Sequence, residues 1–135
     1  MMREVMILFR GRLKGDDDWV FGFPAFAAHY PYDGTTGGAY IWKIPCADTI
    51  VAVDYETVGQ FTGFKDKHGN KIFEGDIIQW DFERVPCLVY WSDRTCQFTT
   101  DVRWLWSSIE HVEILGNIHD NPELLQDICP DCQSG

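Results

Sequence analysis

Apolar and polar residues alternate over short distances along most of the chain, and Gly, Pro, Asn and Asp cut the runs at close intervals. This pattern predicts half-buried strands of roughly 4–8 residues rather than amphipathic helices. Residues 5–10 read as a first strand. Residues 11–18 form a loop with a Gly-Asp-Asp-Asp turn, and residues 19–23 return as the second arm of a hairpin. Pro24 and residues 25–30 fit either a third strand or a helical turn, and residues 31–38 are a Gly- and Thr-rich loop. Residues 39–44, ended by Pro45, and residues 49–53 are further strands. Beyond the middle of the chain, residues 77–82 and 87–91 read as strands joined across residues 83–86. Residues 92–95 are a turn and 96–99 a strand. The stretch from Trp104 to Ile109 has no clean period, and residues 111–118 alternate again as a closing strand.

The densest turn chemistry lies between Gln60 and Ile78. Residues 66–70 are polar and end in Gly-Asn, where positive φ costs little, so they read as a tight turn. Ile72 and Phe73 make a short apolar run, and residues 74–76 a second turn before Ile77-Ile78-Gln79-Trp80. Gly63, Gly69 and Gly75 recur every six residues, as suits a chain doubling back in short β-arches.

One helix start is legible. Asn121 is a favoured N-cap, Pro122 suits the first helical position, and Glu123 complements the positive end of the macrodipole. Pro130 stops this helix after about two turns, too short to stand alone. The fold expected is therefore mainly β, with a small SH3-like barrel in the C-terminal half, extra N-terminal strands and a short C-terminal helix. A single domain spans residues 1–125, with N-terminal strands in 1–59 and the barrel half and closing helix in 60–125. Residues 126–135 are a tail.

Composition narrows the function classes. Apolar residues make up 45% and aromatics 15%, a globular balance. No apolar run approaches the ~20 residues that span a bilayer, and the N-terminal run lacks a cleavage-site pattern, so no membrane association and a cytoplasmic location are expected. Twenty-one acidic residues against eleven basic ones give a net charge of −10. Such a field repels phosphate backbones, so nucleic acid is not expected as a partner, whereas a basic protein surface is suited to it. Among five cysteines, Cys87 and Cys96 lie in β-patterned runs and read as small buried hydrophobes. Cys46 completes an odd count, so a disulfide framework is not expected.

Candidate chemistry is sparse. Asp66, His68, Glu74 and Asp76 could supply acid–base groups, but no nucleophile with a paired base accompanies them, and short carboxylates in turns accept backbone N–H bonds. No catalytic residue is assigned. His29, His68, His111 and His119 stand apart. Glycine-rich phosphate loops and the metalloprotease and nucleophile-elbow patterns are missing, and no cofactor is assigned. Cys129 and Cys132 have C-x-x-C spacing but supply two thiolates where a structural zinc needs four ligands, so no metal site is assigned either. Of the tryptophans in the second half, Trp80, Trp91, Trp104 and Trp106 suit core packing or a subunit interface better than base stacking, because only Arg84, Arg94 and Arg103 lie near them. The uncharged run 87–91 would be poorly protected at a sheet edge. Leu88, Tyr90, Trp91, Trp104 and Trp106 are therefore the candidate interface, and a homo-oligomer is expected.

Four segments resemble the YopX-like proteins of phages and prophages. They are R-E-V-M-I-L-F-R-G-R, then D-W-V-F-G-F, then E-T-V-G-Q-F-T-G-F-K-D-K-H-G-N-K-I-F-E-G-D-I-I, and E-I-L-G-N-I-H-D-N-P-E-L-L near the end. The insert at residues 33–38 and the C-x-x-C tail depart from the pattern. The resemblance implies a mostly β fold, a phage or prophage origin, residence in a bacterial host and self-association, and it brings no assigned activity. The function read from it is an accessory protein acting as a non-enzymatic, self-associating protein-binding module. The alternatives are a nucleic-acid-associated small barrel, or an enzyme using the acidic central loop.

Overall fold

The computed structural model describes residues 7–27, 38–43 and 49–126. The protein is mainly β, and its contacts divide it into two compact units, Met1–Phe61 and Thr62–Gly135. Cys46, Cys129, Cys132, His29 and most of the loop expected at residues 31–38 lie outside the described residues, as does Pro130.

In the first unit β1 (Phe9–Arg12), β2 (Trp19–Ala27), β3 (Gly38–Lys43) and β4 (Ile50–Val53) follow one another as an antiparallel meander. The first residues of β5 (Gly59–Lys65) add to β1 by pairing Gln60 with Phe9 and Gly59 with Arg10. β2 runs straight through Pro24, resolving the ambiguity after Phe23 in favour of strand. The register gives the reason. β1 follows β2 only until Phe9 stands opposite Gly22, so Pro24, paired with Ile41 of β3, has no β1 ladder to break with its missing N–H.

Val20, Ala39, Ile41 and Val53 form the core of this unit, with Phe9, Leu13, Val51 and Val58 packed around them. The sheet curls over that core. Lys14 N–H donates to the Ala52 carbonyl at 3.1 Å and Asp54 N–H to the Arg12 carbonyl at 2.9 Å, flanking a one-pair bridge between Leu13 and Val53. Gly22 is demanded by packing, since a Cβ there would collide with the Trp42 carbonyl. The face of the sheet away from the core is also apolar. Phe23 stands opposite Trp42, and Trp42 opposite Ile50.

In the second unit the later residues of β5 lie beside β6 (Lys71–Phe73). β7 (Asp76–Trp80) is flanked by β8 (Cys87–Leu88) and β11 (Val112–Asn117), while β9 (Tyr90–Ser92) and β10 (Gln97–Thr99) make a separate hairpin. Ile72, Ile78, Trp80, Cys87, Val89, Leu105 and Val112 form the core. Trp80 is fully buried and donates its indole N–H to the Ser107 carbonyl at 2.7 Å.

The strand expected at residues 87–91 is broken in two at Val89. That residue is buried, its N–H donates to the Asp76 carbonyl, and its own carbonyl accepts from Gly75 N–H, both at 2.9 Å. The chain is thereby held at the start of β7 and leaves in a new direction as β9. Among the described residues these sheets do not close into a barrel. Several small antiparallel sheets take the place of the SH3-like barrel expected in this half, because the Val89 break diverts the chain from β7 into a separate hairpin.

The short helix α1 (Glu123–Gln126) follows a turn at Asn121 and Pro122. Asn121 Oδ1 accepts from the Asn117 N–H at 3.3 Å. The expected capping side chain thus holds the end of β11, while its carbonyl accepts from Leu124 N–H at 3.1 Å. No described helix is long and apolar enough to cross a membrane.

Candidate functional site

The two acidic turns of the central stretch are built around their carboxylates. Asp66 is buried; its Oδ1 accepts from the N–H groups of His68 and Asn70, each at 2.9 Å, and its Oδ2 from Ile114 N–H at 3.3 Å. Burial pushes its pKa up, but the donors from Asn70, Ile114 and His68 together outweigh that and hold it below the ordinary 3.8. Asp76, also buried, accepts from Phe73 N–H at 2.7 Å. Gly69 and Gly75 turn the chain at φ of 87° and 93°, which a side chain would resist. The His68 side chain meets Glu113 of β11, Nε2 to Oε1 at 3.5 Å. Among the described residues no three His, Cys, Asp or Glu side chains converge as a metal site.

Among the described residues, a feature able to receive a ligand lies elsewhere in the second unit. An open groove of about 310 Å³ runs between the β9–β10 hairpin and the loop that follows it. Trp91 stands opposite Phe98, and Tyr90 opposite Thr99. By alternation, Tyr90, Ser92 and Thr99 share one face of the hairpin and line the groove, while Trp91 and Phe98 share the other. Those two rings meet edge to face with centroids 5.1 Å apart.

The far wall is the loop at residues 100–104, folded by one hydroxyl. Thr100 Oγ1 donates to the Arg103 carbonyl at 2.7 Å and accepts from the Arg103 N–H at 3.1 Å. Asp101 is tied down by the Tyr90 hydroxyl, which donates to Oδ1 at 2.8 Å. That hydrogen bond, more than burial, raises the pKa of Tyr90 above its ordinary 10. A bridge between Thr99 and Trp104 sets Trp104 into the wall, and Trp106 lies beside it at 6.3 Å between ring centroids.

Two arginines line this groove. Arg103 forms an ion pair with Glu83 and lies over the Phe82 ring at 4.9 Å, yet its Nε is buried without a hydrogen-bond acceptor. Arg94 sits in the turn of the hairpin and is exposed, and no hydrogen bond or ion pair engages it among the described residues. The turn that carries it is held by Thr95 N–H donating to Ser92 Oγ at 3.4 Å and by Cys96 in the left-handed region at φ 53°. A guanidinium fork beside hydroxyls and an indole face can hold a carboxylate or phosphate with an apolar group next to it.

Of the candidate interface residues, the structure brings Tyr90 and Trp104 into the groove and Trp106 next to it. Trp91 lies on the opposite face of the hairpin, and Leu88 lies in β8 opposite Ile77. Arg94, Thr100 and Asp101 were not singled out for this groove from sequence. The available signal was the period-2 alternation of residues 90–92 and 97–99, with an arginine in the turn between them.

Comparison with known proteins bears on the same stretches. Residues 36–126 match the family model described as YopX protein. The chain belongs to the YopX protein family. The central signature by which it resembles this family builds β5, β6 and β7 with their two carboxylate-centred turns. The closing segment builds β11 and the start of α1. The YopX chain also resembles a solved structure, the crystal structure of protein EF1440 from Enterococcus faecalis. The two share 21% identity with a TM-score of 0.52, covering 90% of this chain and 99% of that one. This likeness shows a shared fold. A comparison with the curated proteins finds no match.

Proposed function

We propose that this YopX family member is a phage or prophage accessory protein, a β-rich module of the bacterial cytoplasm that self-associates and works through protein contacts without catalysing a reaction. The observation that carries this reading is the open groove flanked by Trp104 and Trp106, which are 48% and 57% exposed. Large aromatics left half exposed around a concave surface are the usual anchors of protein recognition. Tyr90, Trp104 and Trp106 form the proposed contact surface at the groove, with Trp91 and Leu88 extending it on neighbouring strands.

A partner with a basic surface suits the net charge of −10, while one acidic side chain or chain terminus of that partner reaches Arg94. The test is affinity capture from the lysate of an induced lysogen, with the Trp104→Ala/Trp106→Ala double variant as the control bait. A protein retained by the unaltered chain and lost by the variant supports the reading. Identical captures by both baits would sink it.

A further inference from the structure

The outer face of the first unit carries a row of large apolar side chains that its core does not use. Phe23, Trp42 and Ile50 stand opposite one another on three adjacent strands. Phe21, two residues before Phe23, points to the same side. Their exposures are 43% for Phe21, 44% for Phe23, 48% for Trp42 and 47% for Ile50. An antiparallel sheet that shows one face to water normally alternates apolar-in with polar-out. Here the other described outward positions of β2 to β4, which are Trp19, Ala25, Tyr40 and Ala52, are uncharged as well. The charged residues on this side belong to β1, where Arg10, buried against the Trp19 ring, and the half-buried Arg12 stand opposite Phe21 and Trp19.

We infer that this row is the surface on which two copies of the chain meet, sheet face against sheet face about a two-fold axis. The inference rests on the self-association proposed above and names its site, leaving the groove of the second unit for a different partner. Charge selects the occupant. A basic protein would find no carboxylate on β2 to β4 to pair with. A membrane surface calls for exposed Lys and Arg around an apolar row, whereas Arg10 is buried and Arg12 half-buried, and the chain's charge of −10 opposes anionic lipid. An identical uncharged face fits, since contact there sets no like charges against each other, and interface centres are depleted of charge.

Area sets the strength. A large aromatic side chain presents 150–250 Å² when fully exposed, so four half-exposed groups offer roughly 350 Å². That is about half of the ~800 Å² per partner of a standard interface, so with a polar rim the contact belongs to the small, reversible class. Sheets packed face to face lie about 10 Å apart with their side chains interleaved, and a row of rings on the convex side of this curled sheet can interleave with its copy over a limited area.

Sedimentation equilibrium of the whole chain, run from micromolar to a few hundred micromolar, tests this. The unaltered protein should show concentration-dependent dimerisation of its 15.6 kDa chain. Trp42→Lys, which places a charge in mid-row, should remain monomeric over the same range. Trp104→Ala/Trp106→Ala should dimerise as the unaltered protein does. Should Trp42→Lys lose its cooperative melt, Ile50→Thr on β4 decides by the same readout, with an expected loss of association of at least tenfold. A dimer unaffected by the row variants overturns this inference and leaves the self-association reading standing. A chain monomeric at every concentration overturns both.

Discussion

Asp66 shows how a single residue explains part of the family signature. One carboxylate accepts three backbone N–H groups, from residues two and four positions on and from Ile114 on β11. A turn is thereby fastened to a strand distant in sequence. Asp66→Ala leaves those donors without their acceptor, and the expected cost is about 2–3 kcal/mol, measured by urea unfolding. The sign of the pH dependence follows from the lowered pKa. In the window below the ordinary 3.8 the unfolded chain binds the proton more readily than the folded one. The stabilisation is therefore fully present above that value and is lost as pH falls through the folded pKa. Asp66→Asn should flatten this low-pH loss. A variant with the same acid profile as the unaltered chain would show that the carboxylate does not carry it. The turn role of Asp66 was legible from residue type and spacing, whereas its bond to Ile114 was not, because a partner 48 positions away leaves no local trace. Cys87 illustrates the opposite case. Burial pushes its thiol to about 11, and it packs as a small core group, whereas Cys96, expected to be buried in the same way, is exposed because it turns the chain at positive φ.

At the scale of elements, alternation located most strands, and the turn glycines located most reversals. What alternation could not locate was the break at Val89, since residues 87–91 read as one continuous apolar run. The break exists because Val89 bonds to Gly75 and Asp76, a tertiary constraint on a locally uniform segment. Pro24 is the mirror case, a residue that argues locally against a strand and is tolerated because β1 ends before it. Glycines separate in the same way. Gly15, at φ +80° with nothing near its missing Cβ, serves a turn, whereas Gly22 serves packing against the Trp42 backbone. Gly22→Ala should cost about 3 kcal/mol or more through overpacking between β2 and β3. Gly15→Ala should cost only about 1–2 kcal/mol through backbone conformation. Equal midpoints in denaturant for the two variants would refute the close approach.

For the whole molecule the summed charge and the local groove pull in different directions. Arg94 and Arg103 near Trp104 resemble, in miniature, the pairing of cation and aromatic that holds a nucleotide. Asp101 shares the groove, however, Arg103 is already paired with Glu83, and the chain carries −10. The expected outcome is no measurable binding of a short single-stranded oligonucleotide at about 150 mM salt, read by fluorescence anisotropy. Micromolar binding that weakens steeply with added salt would show that the groove outweighs the field.

By itself the sequence determined where the chain reverses, which segments extend, and that most of the apolar content would be spent on short strands. These are local matters, settled by residues such as Gly69, Asn70 and Gly75 that allow one backbone geometry at low cost. The tertiary structure alone decided which side of each strand faces a core. Where both sides of a strand are apolar, as in β2 with Val20 inward and Phe21 and Phe23 outward, a period of two marks two faces and does not say which is buried. Only the register across β2, β3 and β4 aligns Phe23, Trp42 and Ile50. Only the fold of the loop at residues 100–104 brings Asp101 to the hydroxyl of Tyr90. Both depend on pairings between strands and loops that no single segment encodes.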